Sequence, residues 1–400
     1  MRLDLGWRLD PEVTFLNHGS YGACPEPVLE VQRALRDRLE AEPVRFLSGE
    51  LPGLLAEARD AIGRFLSADP DGLAFVTNAT TGVNTVLQSL RFEPGDELLT
   101  DDHEYNATIN AMRAVAARDG ARVVVAPIPF PIAGPEEALA SLLDAVTDRT
   151  RLLLVSQVTS PTGLILPVAE LVAEMDRRGI DTLVDAAHAP GMLPVDVGSL
   201  GAAYWTGNGH KWMCGPKGTA VLWVREDRRE RIHPLVVSHG ANEPLEGRTR
   251  FRHEFDWVGT SDPTGFLTLP AAIDWMDRCA IPDGGGWPGV MAANHALVLE
   301  GRDIVAAALG VEPPAPDAML GSMAALPLPG VEGDIAATAL GAALEAEDRI
   351  QVPIGPWPVR AAQRDGVFPQ TLIRISAQRY NEAADYERLA DALTRRLRAN

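Results

Sequence analysis

Short apolar runs alternate with stretches of helical period from about residue 72 onward. The apolar runs are GLAFVTN, DELLTDD, ARVVVAPI, RLLLVSQV and DTLVDAA. Amphipathic stretches such as TGVNTVLQSL and PVAELVAEMDRRG separate them, and their length, about 10 to 15 residues, is typical of helices that join parallel strands. Strands joined in this way form a mainly parallel sheet that helices cover on both faces. The pattern therefore predicts an α/β fold.

The pattern changes at two places further along the chain. Only a short link separates the runs AAYWTGN and GTAVLWVR, which predicts a strand pair that closes the sheet. After Pro263 helical stretches dominate, and ADYERLADALTRRLR predicts a last helix. We therefore predict a large domain over residues 15–262, a smaller α+β domain over 263–400 and an N-terminal segment, 1–14, that packs on the smaller domain.

Charge and hydropathy narrow the classes of partner. The 400 residues carry a formal net charge of -19, and such an anionic surface repels nucleic acid and acidic membranes. No run approaches the roughly 18 apolar residues of a membrane helix, and the start, MRLDLGWRLDP, lacks the basic and apolar regions of a signal peptide. We expect a cytoplasmic protein without nucleic-acid or membrane partners.

The three cysteines, Cys24, Cys214 and Cys279, are far apart and follow no CxxC or CxxH spacing. An odd number of dispersed cysteines argues against a disulfide framework and against a structural zinc site. We therefore expect no metal site, and this cysteine usage fits a reducing compartment such as the cytoplasm.

Lysine is almost absent from the chain. Of the 36 basic residues 34 are arginine, and the two lysines, Lys211 and Lys217, lie within the segment YWTGNGHKWMCGPKGT. An amine that loses its proton and condenses with an aldehyde must be lysine, since arginine stays charged. The alternatives are chance survival in an arginine-biased chain and a solvated charge in a glycine-rich turn. Lys211, which follows a strand-like run, is the better candidate, and Lys217 is interpreted as a structural or phosphate-proximal charge.

A carboxylate follows the predicted strand in TLVDAAHAPG. Asp185 ends this strand and His188 comes three residues later, at the sheet edge where open α/β sheets bind ligands. A carboxylate held against a pyridine nitrogen keeps that nitrogen protonated, which makes the ring an electron sink. The alternative for Asp185 is an ordinary helix N-cap.

Two further segments carry candidate cofactor ligands. In FVTNATTGVN a turn joins a strand to a helix, and the free N–H groups of a helix start form a phosphate site, with Thr80 and Thr81 as candidate hydroxyl donors. In DDHEYNAT, Tyr105 or His103 could stack on a flat ring. Read singly, these are ordinary capping and loop residues.

The order of these segments, ending with Lys211 26 residues after Asp185, resembles that of PLP (pyridoxal 5'-phosphate) enzymes of the class V aminotransferase fold. Within this cysteine desulfurase-like group the similarity is strongest to the isopenicillin N epimerase branch, and it covers nearly the whole chain. It implies the PLP-dependent transferase fold type I, with a mainly parallel seven-stranded sheet. The motifs that carry it are NHGSYG at 17–22, TNATTGVN at 77–84, DHEYNA at 102–107, SQVTSPTG at 156–163, VDAAHAPG at 184–191, GNGHKW at 207–212, GTSDP at 259–263 and RISAQRYN at 374–381.

The resemblance implies a role for each matching position around the cofactor. Lys211 would carry PLP as a Schiff base, Asp185 would pair with the pyridine nitrogen and His188 would lie near the phenolic oxygen of the ring. Tyr105 occupies the ring-stacking position, although His103 remains possible. The implied phosphate ligands are Thr80, the backbone of Ala79, and Asn208 and His210 nearby, with Thr260 reaching the phosphate of the partner subunit in a homodimer whose active sites lie at the interface.

The resemblance also implies the substrate contacts. Arg374 matches the arginine that binds the substrate carboxylate, a task that suits a planar guanidinium. The segment that borders the substrate contributes Asn17, His18 and Tyr21. Ser160 stands where relatives often have asparagine and is a candidate for cofactor binding.

Such a site acts at the Cα atom of an amino acid, and the candidate catalytic residues are Lys211, Tyr105 and His188. Lys211 would take the Cα proton to leave a carbanion, and return of a proton on the opposite face gives epimerisation or racemisation, with Tyr105 or a histidine as second acid. The alternative is a carbon–sulfur lyase, such as a cysteine desulfhydrase or a cysteine-conjugate or sulfoxide β-lyase, for which one base suffices. An aminotransferase and a non-catalytic PLP-binding protein are less favoured.

A persulfide-forming cysteine desulfurase is also disfavoured. Such enzymes carry a nucleophilic cysteine shortly before the carboxylate-binding arginine, and the stretch IQVPIGPWPVRAAQRDGVFPQTLIR contains none. Cys214 is close to Lys211 in the sequence but is interpreted as a packing residue.

Overall fold

The computed structural model describes residues 6–245, 247–279, 285–363 and 369–398. The strands in these residues are β1 (Thr14–Phe15), β2 (Leu73–Val76), β3 (Glu97–Asp101), β4 (Arg122–Ala126), β5 (Thr150–Ser156), β6 (Asp181–Asp185), β7 (Tyr204–Asn208), β8 (Ala220–Val224), β9 (Met323–Pro327), β10 (Ile350–Gln351), β11 (Ile354–Trp357) and β12 (Gln370–Ser376). The α-helices are α1 (His18–Tyr21), α2 (Glu26–Ala41), α3 (Leu51–Leu66), α4 (Ala79–Ser89), α5 (Asn106–Asp119), α6 (Pro135–Asp144), α7 (Val168–Arg177), α8 (Val197–Leu200), α9 (Arg250–Asp256), α10 (Thr264–Cys279), α11 (Gly286–Leu309), α12 (Gly333–Asp348) and α13 (Ala383–Arg398).

A seven-stranded sheet in the order β2-β8-β7-β6-β5-β3-β4 forms the centre of the described chain. Alternate residues of its strands enter different apolar clusters: Leu152 and Leu154 of β5 pack with α4 and α5, whereas Leu153 and Val155 pack with α6 and α7. Because both faces are covered, the strands are apolar throughout. The predicted α/β fold with a mainly parallel sheet is confirmed.

The predicted strand pair does form, but the expectation that it closes the sheet is wrong. β7 and β8 are antiparallel, and β2 pairs antiparallel with the other side of β8. β8 is therefore internal and β2 forms the edge, running in the same direction as the parallel strands. A hydrophobic pattern predicts whether a strand is buried, but it does not predict which strands lie beside it. The apolar runs therefore could not predict this strand order.

The second half of the chain adds smaller sheets and long helices. β9, β11 and β12 form an antiparallel sheet in the order β11-β12-β9, and α11 and α13 pack beside it through Val298, Val305 and Leu389. The predicted helices after Pro263 are confirmed as α10, α11 and α13. β1 pairs in parallel with β10, and the domain boundaries stay a prediction. No helix among the described residues is long and apolar enough to span a membrane.

Candidate active site

The carboxyl ends of β2, β5, β6 and β7 meet at one edge of the large sheet, and a cavity of about 340 Å³ lies there. The predicted residues that line it are Tyr21, Ala79, Thr80, Tyr105, Ser160, Asp185, His188, Asn208, His210, Lys211 and Arg374. Asn17, His18 and Thr260 are not among the lining residues. Most of the predicted set is thus brought together by strand ends that are far apart in the sequence, as expected for the ligand edge of an α/β sheet.

The amine of Lys211 is buried beside a histidine whose tautomer is fixed. Lys211 Nζ lies 3.1 Å from His188 Nε2, and the indole N–H of Trp212 donates to His188 Nδ1 at 3.3 Å. Since Nδ1 accepts, the proton of a neutral imidazole is on Nε2 and points at Lys211. Burial, and then the charge of Lys211, hold the pKa of His188 well below its usual value, so the imidazole is neutral.

The same surroundings favour an uncharged lysine. Burial, followed by the nearby charge of Arg374, lowers the pKa of Lys211 to about 7, against a smaller opposing effect of Asp185. An amine must be neutral to attack a carbonyl. Lys211 therefore accepts the hydrogen bond from His188 and is available as a nucleophile or base near neutral pH.

Asp185 ends β6 as a buried carboxyl with two donors. Thr108 Oγ1 donates to its Oδ2 at 3.2 Å and the backbone N–H of Ala187 donates to its Oδ1 at 3.0 Å. Burial raises the pKa of Asp185, because a carboxylate out of water is costly unless a cation or donor faces it. The site is complementary to a positively charged N–H group placed in the cavity.

The start of α4 forms the predicted phosphate end of the cavity. Asn78 caps this helix by accepting the N–H of Thr81 at 2.8 Å, and the N–H of Ala79 donates to Asn208 Oδ1 at 2.9 Å. The Ala79 N–H is therefore directed at Asn208, and the Gly82 N–H donates to the Asn78 carbonyl at 3.1 Å, so in the first turn the N–H of Thr80 is the group left for a phosphate. His210 Nδ1 is held by the carbonyl of Thr219 at 2.8 Å, and burial lowers the pKa of His210 to about 4.

Two aromatic residues are candidates for ring stacking. Tyr105 is among the described residues that line the cavity, and His103 is not. His103 is fully buried, with Nδ1 at 2.7 Å from Thr162 Oγ1 and Nε2 at 3.1 Å from the carbonyl of Ile128. Burial lowers the pKa of His103 to about 4. Its ring nitrogens are already bonded to the protein, so the geometry favours Tyr105.

Arg374 enters the cavity from β12 of the smaller sheet. Its Nη2 donates to Ser20 Oγ at 3.0 Å, and its Nη1 donates to the carbonyl of Ser160 and to Ser160 Oγ at 3.3 Å. Burial lowers the pKa of Arg374 to about 10, which leaves it cationic at neutral pH. Among the described residues no carboxylate forms an ion pair with it, so this buried cation is suited to an anionic ligand group.

The other predicted residues lie around the cavity. His18 is buried behind Lys211, with Nδ1 at 2.8 Å from Tyr380 Oη and Nε2 at 3.1 Å from the Lys211 carbonyl. Asn17 accepts the hydroxyl of Ser20. Thr260 is exposed. The predicted substrate and partner contacts of these residues stay predictions.

Three residues of the site escaped the sequence analysis. Trp212 fixes the tautomer of His188, Thr108 bonds Asp185 and Ser20 holds Arg374. Trp212 and Ser20 lie within the motifs GNGHKW and NHGSYG, so their proximity was readable although their contacts were not. Thr108 carries no such signal, because only the packing of α5 against the sheet brings it to Asp185.

Comparison with known proteins identifies similar sequences and folds. The model of the family Aminotransferase class-V matches residues 24–389. Isopenicillin N epimerase of Streptomyces clavuligerus is 36% identical over 96% of this chain and 95% of its own length. Putative L-cysteine desulfhydrase 1 of Oryza sativa subsp. japonica is 33% identical over 96% and 83%.

Solved structures share the fold along almost the whole chain. A C-DES mutant with glycine covalently linked to the PLP cofactor is 25% identical with a TM-score of 0.79, over 96% of this chain and 97% of that one. The cysteine desulfurase CsdA of Escherichia coli is 23% identical with a TM-score of 0.79, over 98% and 97%. The predicted PLP-dependent fold type I is confirmed.

Proposed function

The chain belongs to the class-V aminotransferase family and is a PLP-dependent enzyme, and we propose that it removes the Cα proton of an amino-acid substrate. The observation that carries the proposal is the convergence of Lys211, Asp185 and Arg374 on one cavity. A base, a partner for the ring nitrogen and a carboxylate-binding cation are the groups that such a reaction requires.

The residues of the cavity fit the cofactor. Lys211 offers its aldehyde an amine that becomes neutral as the pH rises through about 7, and the buried carboxyl of Asp185 suits its protonated ring nitrogen. Tyr105 would lie against the ring, and His188 would donate from Nε2 to a ring oxygen. The phosphate would be held by Thr80, the start of α4, Asn208 and His210. PLP, when bound, withdraws electrons from the Cα atom of a joined amino acid and makes its Cα–H bond acidic.

The residues around the substrate have separate roles. Arg374, supported by Ser20 and Ser160, binds and orients the carboxylate. The Lys211 amine takes the Cα proton, and it can do so near neutral pH because its pKa is lowered to about 7. His188 keeps its N–H directed into the cavity, so it does not compete for that proton.

Epimerisation or racemisation is the main proposal, supported by the 36% identity to isopenicillin N epimerase. This outcome needs a second acid that returns a proton on the face opposite Lys211. The two phenols that line the cavity, Tyr105 and Tyr21, supply candidates, whereas His103 and His18 are held by other contacts. Tyr105 is the preferred one. It lines a second cavity that adjoins the first, and Arg374 lines that cavity as well.

A carbon–sulfur lyase is the second candidate, supported by the similarity to L-cysteine desulfhydrases. Expulsion of a sulfur group from Cβ needs only the one base that Lys211 provides. Persulfide formation stays disfavoured, because the Cys214 thiol is fully buried and burial raises its pKa. Cys24 is buried as well.

A homodimer completes the proposal. The segment that contains Thr260 lies beside an apolar cavity lined by Leu235, Val236, Val258 and Phe266, of which the first three are among the exposed large apolar residues. Contiguous exposed apolar surface is typical of protein–protein contacts. A second copy of the chain covering this surface would bring Thr260 toward the partner's cavity.

The cytoplasm stays the proposed location, supported by the free thiols of Cys24 and Cys214.

The reaction is tested by incubating the PLP-loaded protein in D₂O with L-amino acids, cysteine conjugates and cysteine sulfoxides. We expect loss of the Cα–H proton signal, with Lys211→Arg as an inactive control that keeps the charge. The D-isomer without pyruvate and ammonia supports epimerisation, whereas pyruvate and ammonia without the D-isomer contradict it and support the lyase. A protein that exchanges no Cα proton of any of these compounds contradicts the proposal.

A further inference from the structure

A second cavity of about 510 Å³ adjoins the candidate active site. The two cavities share Ser20, Tyr105, Ser160 and Arg374. Since Arg374 is the proposed carboxylate site, a substituent on the neighbouring Cα atom has direct access to this second space. The remainder of its described lining comes from β11, β12 and the segments beside them, mainly Pro353, Ile354, Pro356, Val359 and Leu372.

We propose, resting on the proposed function, that this second cavity binds the substrate side chain and selects amino acids whose side chain is bulky and mainly apolar. Its size lies within the range of about 300 to 1,000 Å³ that is typical of cavities for whole small-molecule ligands. The CH₂–SH group of cysteine fills a small part of it. An aromatic or S-benzyl side chain buries far more apolar surface there.

The charges of the cavity agree with an apolar occupant. Apart from Arg374, the charged residue in its described lining is Arg360, which is largely exposed and pairs with Asp334 at 2.8 Å. Asn106 also borders the cavity, but its Oδ1 accepts the backbone N–H of Ala361 at 2.9 Å. Arg360 and the amide oxygen of Asn106 are thus already engaged, and Pro353, Ile354, Pro356, Val359 and Leu372 provide apolar walls to bind the side chain.

Gly355 keeps this cavity open. It lies opposite Leu372 in the β11–β12 pair, and Leu372 shares its face of the sheet with Arg374, two residues further along. A Cβ atom added at Gly355 would meet no atom within 4 Å. The protein therefore has room for a Cβ atom here, and because Gly355 lines the cavity the rest of a larger side chain would extend into it, which makes Gly355 a specificity-determining position.

The experiment compares Gly355→Leu with wild type and with Gly341→Leu. Gly341, in α12, also meets no atom within 4 Å of an added Cβ and does not line the cavity. The substrates are S-methyl-L-cysteine and S-benzyl-L-cysteine, which share the same Cα and Cβ atoms and thioether sulfur and differ in the bulk of the group on sulfur. Loss of the Cα–H signal in D₂O counts turnover whichever reaction follows.

We expect wild type to prefer S-benzyl-L-cysteine by about tenfold or more in kcat/KM, a usual effect of apolar contacts in a pocket. Gly355→Leu should lower this ratio at least about tenfold, and Gly341→Leu should leave it unchanged. Gly355→Ala should lower it less, and it replaces the leucine variant if the latter loses thermal stability or PLP content. A wild-type preference for S-methyl-L-cysteine, or an unchanged ratio in the folded Gly355 variants, would overturn the inference.

A second measurement separates this inference from the proposed function. If the PLP-loaded wild type removes no Cα proton, the proposed function fails. The rise in Tm on adding S-benzyl-L-cysteine still reports binding in the cavity. A rise in wild type and Gly341→Leu that is lost in Gly355→Leu supports the inference, and equal shifts in the three proteins overturn it.

Discussion

At the scale of single residues, the Lys211 amine lies between a neutral donor and a buried cation. Trp212 donates to His188 Nδ1, so His188 directs its Nε2–H at Lys211. Burial and the charge of Arg374 lower the pKa of Lys211 to about 7. These contacts act in one direction, because each stabilises the amine in its neutral form.

The Trp212→Phe variant tests this arrangement through pH dependence. In wild-type apoprotein the neutral fraction of Lys211 grows as pH rises through about 7, so the rate of PLP incorporation should rise with a midpoint near that pH. Without the indole N–H, His188 can present an Nε2 lone pair that stabilises the lysine ammonium. We expect the midpoint to move to higher pH and the rate at neutral pH to fall about threefold, as for one hydrogen bond of about 1 kcal/mol.

Trp205→Phe is the matched control. Trp205 is also buried, and its indole N–H donates to Gln157 at 3.2 Å rather than to His188. This variant should keep the wild-type midpoint even if its Tm falls. Equal midpoints in wild type and Trp212→Phe would contradict the proposed tautomer.

At the scale of elements, the site depends on where strands end and helices begin. β6 ends at Asp185, β7 ends at Asn208 and α4 begins at Ala79, so three groups with separate predicted roles meet at one sheet edge. Arg374 comes from a different sheet, and the loop carrying Ser160 joins it to the edge. Of these elements, the start of α4, which Asn78 caps, is the one proposed to bind the phosphate.

Removal of the α4 cap should weaken cofactor binding. Asn78→Ala loses the acceptor of the Thr81 N–H, and loss of such a cap costs about 1 kcal/mol. We expect a lower Tm and a several-fold higher Kd for PLP. Asp196→Ala removes the equivalent cap of α8, an acceptor for Ser199, away from the cavity. It should lower Tm without changing the Kd, and a rise in Kd that is the same in both variants would argue against a phosphate site at α4.

Sequence and structure agree on the parts of the site that local order encodes. The strand-end position of Asp185 and the spacing to Lys211 were readable because apolar runs and turns mark where strands end. The position of β8 between β2 and β7 could not be predicted in this way, since strand order depends on contacts between segments that are distant in the sequence. The Thr108 contact with Asp185 and the second cavity around Leu372 also arise between distant segments, for which one sequence carries no pairing signal.

At the scale of the whole molecule, the proposed dimer would cover the exposed apolar residues near Thr260. Val236 is 56% exposed and lines the apolar cavity beside this segment. A carboxylate buried there without a partner would be costly. Val236→Asp should therefore shift a dimer toward monomer in light scattering after size-exclusion chromatography.

The control for this variant is Ile335→Asp. Ile335, in α12, is 89% exposed and lies outside the lining of that cavity. Its substitution should therefore leave the molecular mass measured by light scattering unchanged. A wild-type protein that is monomeric at all concentrations, or a Val236→Asp protein that stays dimeric, would contradict the proposed interface.

The most direct test of the account is to reduce the PLP-loaded protein with borohydride, digest it and locate the pyridoxyl group by mass spectrometry. The chain has only two lysines, Lys211 and Lys217, and Lys217 Nζ donates to the carbonyl of Gly22 at 2.6 Å. We expect the added mass on Lys211 alone and no incorporation into Lys211→Arg. A pyridoxyl group on Lys217, or on neither lysine, would contradict the assignment of Lys211 as the lysine that carries PLP.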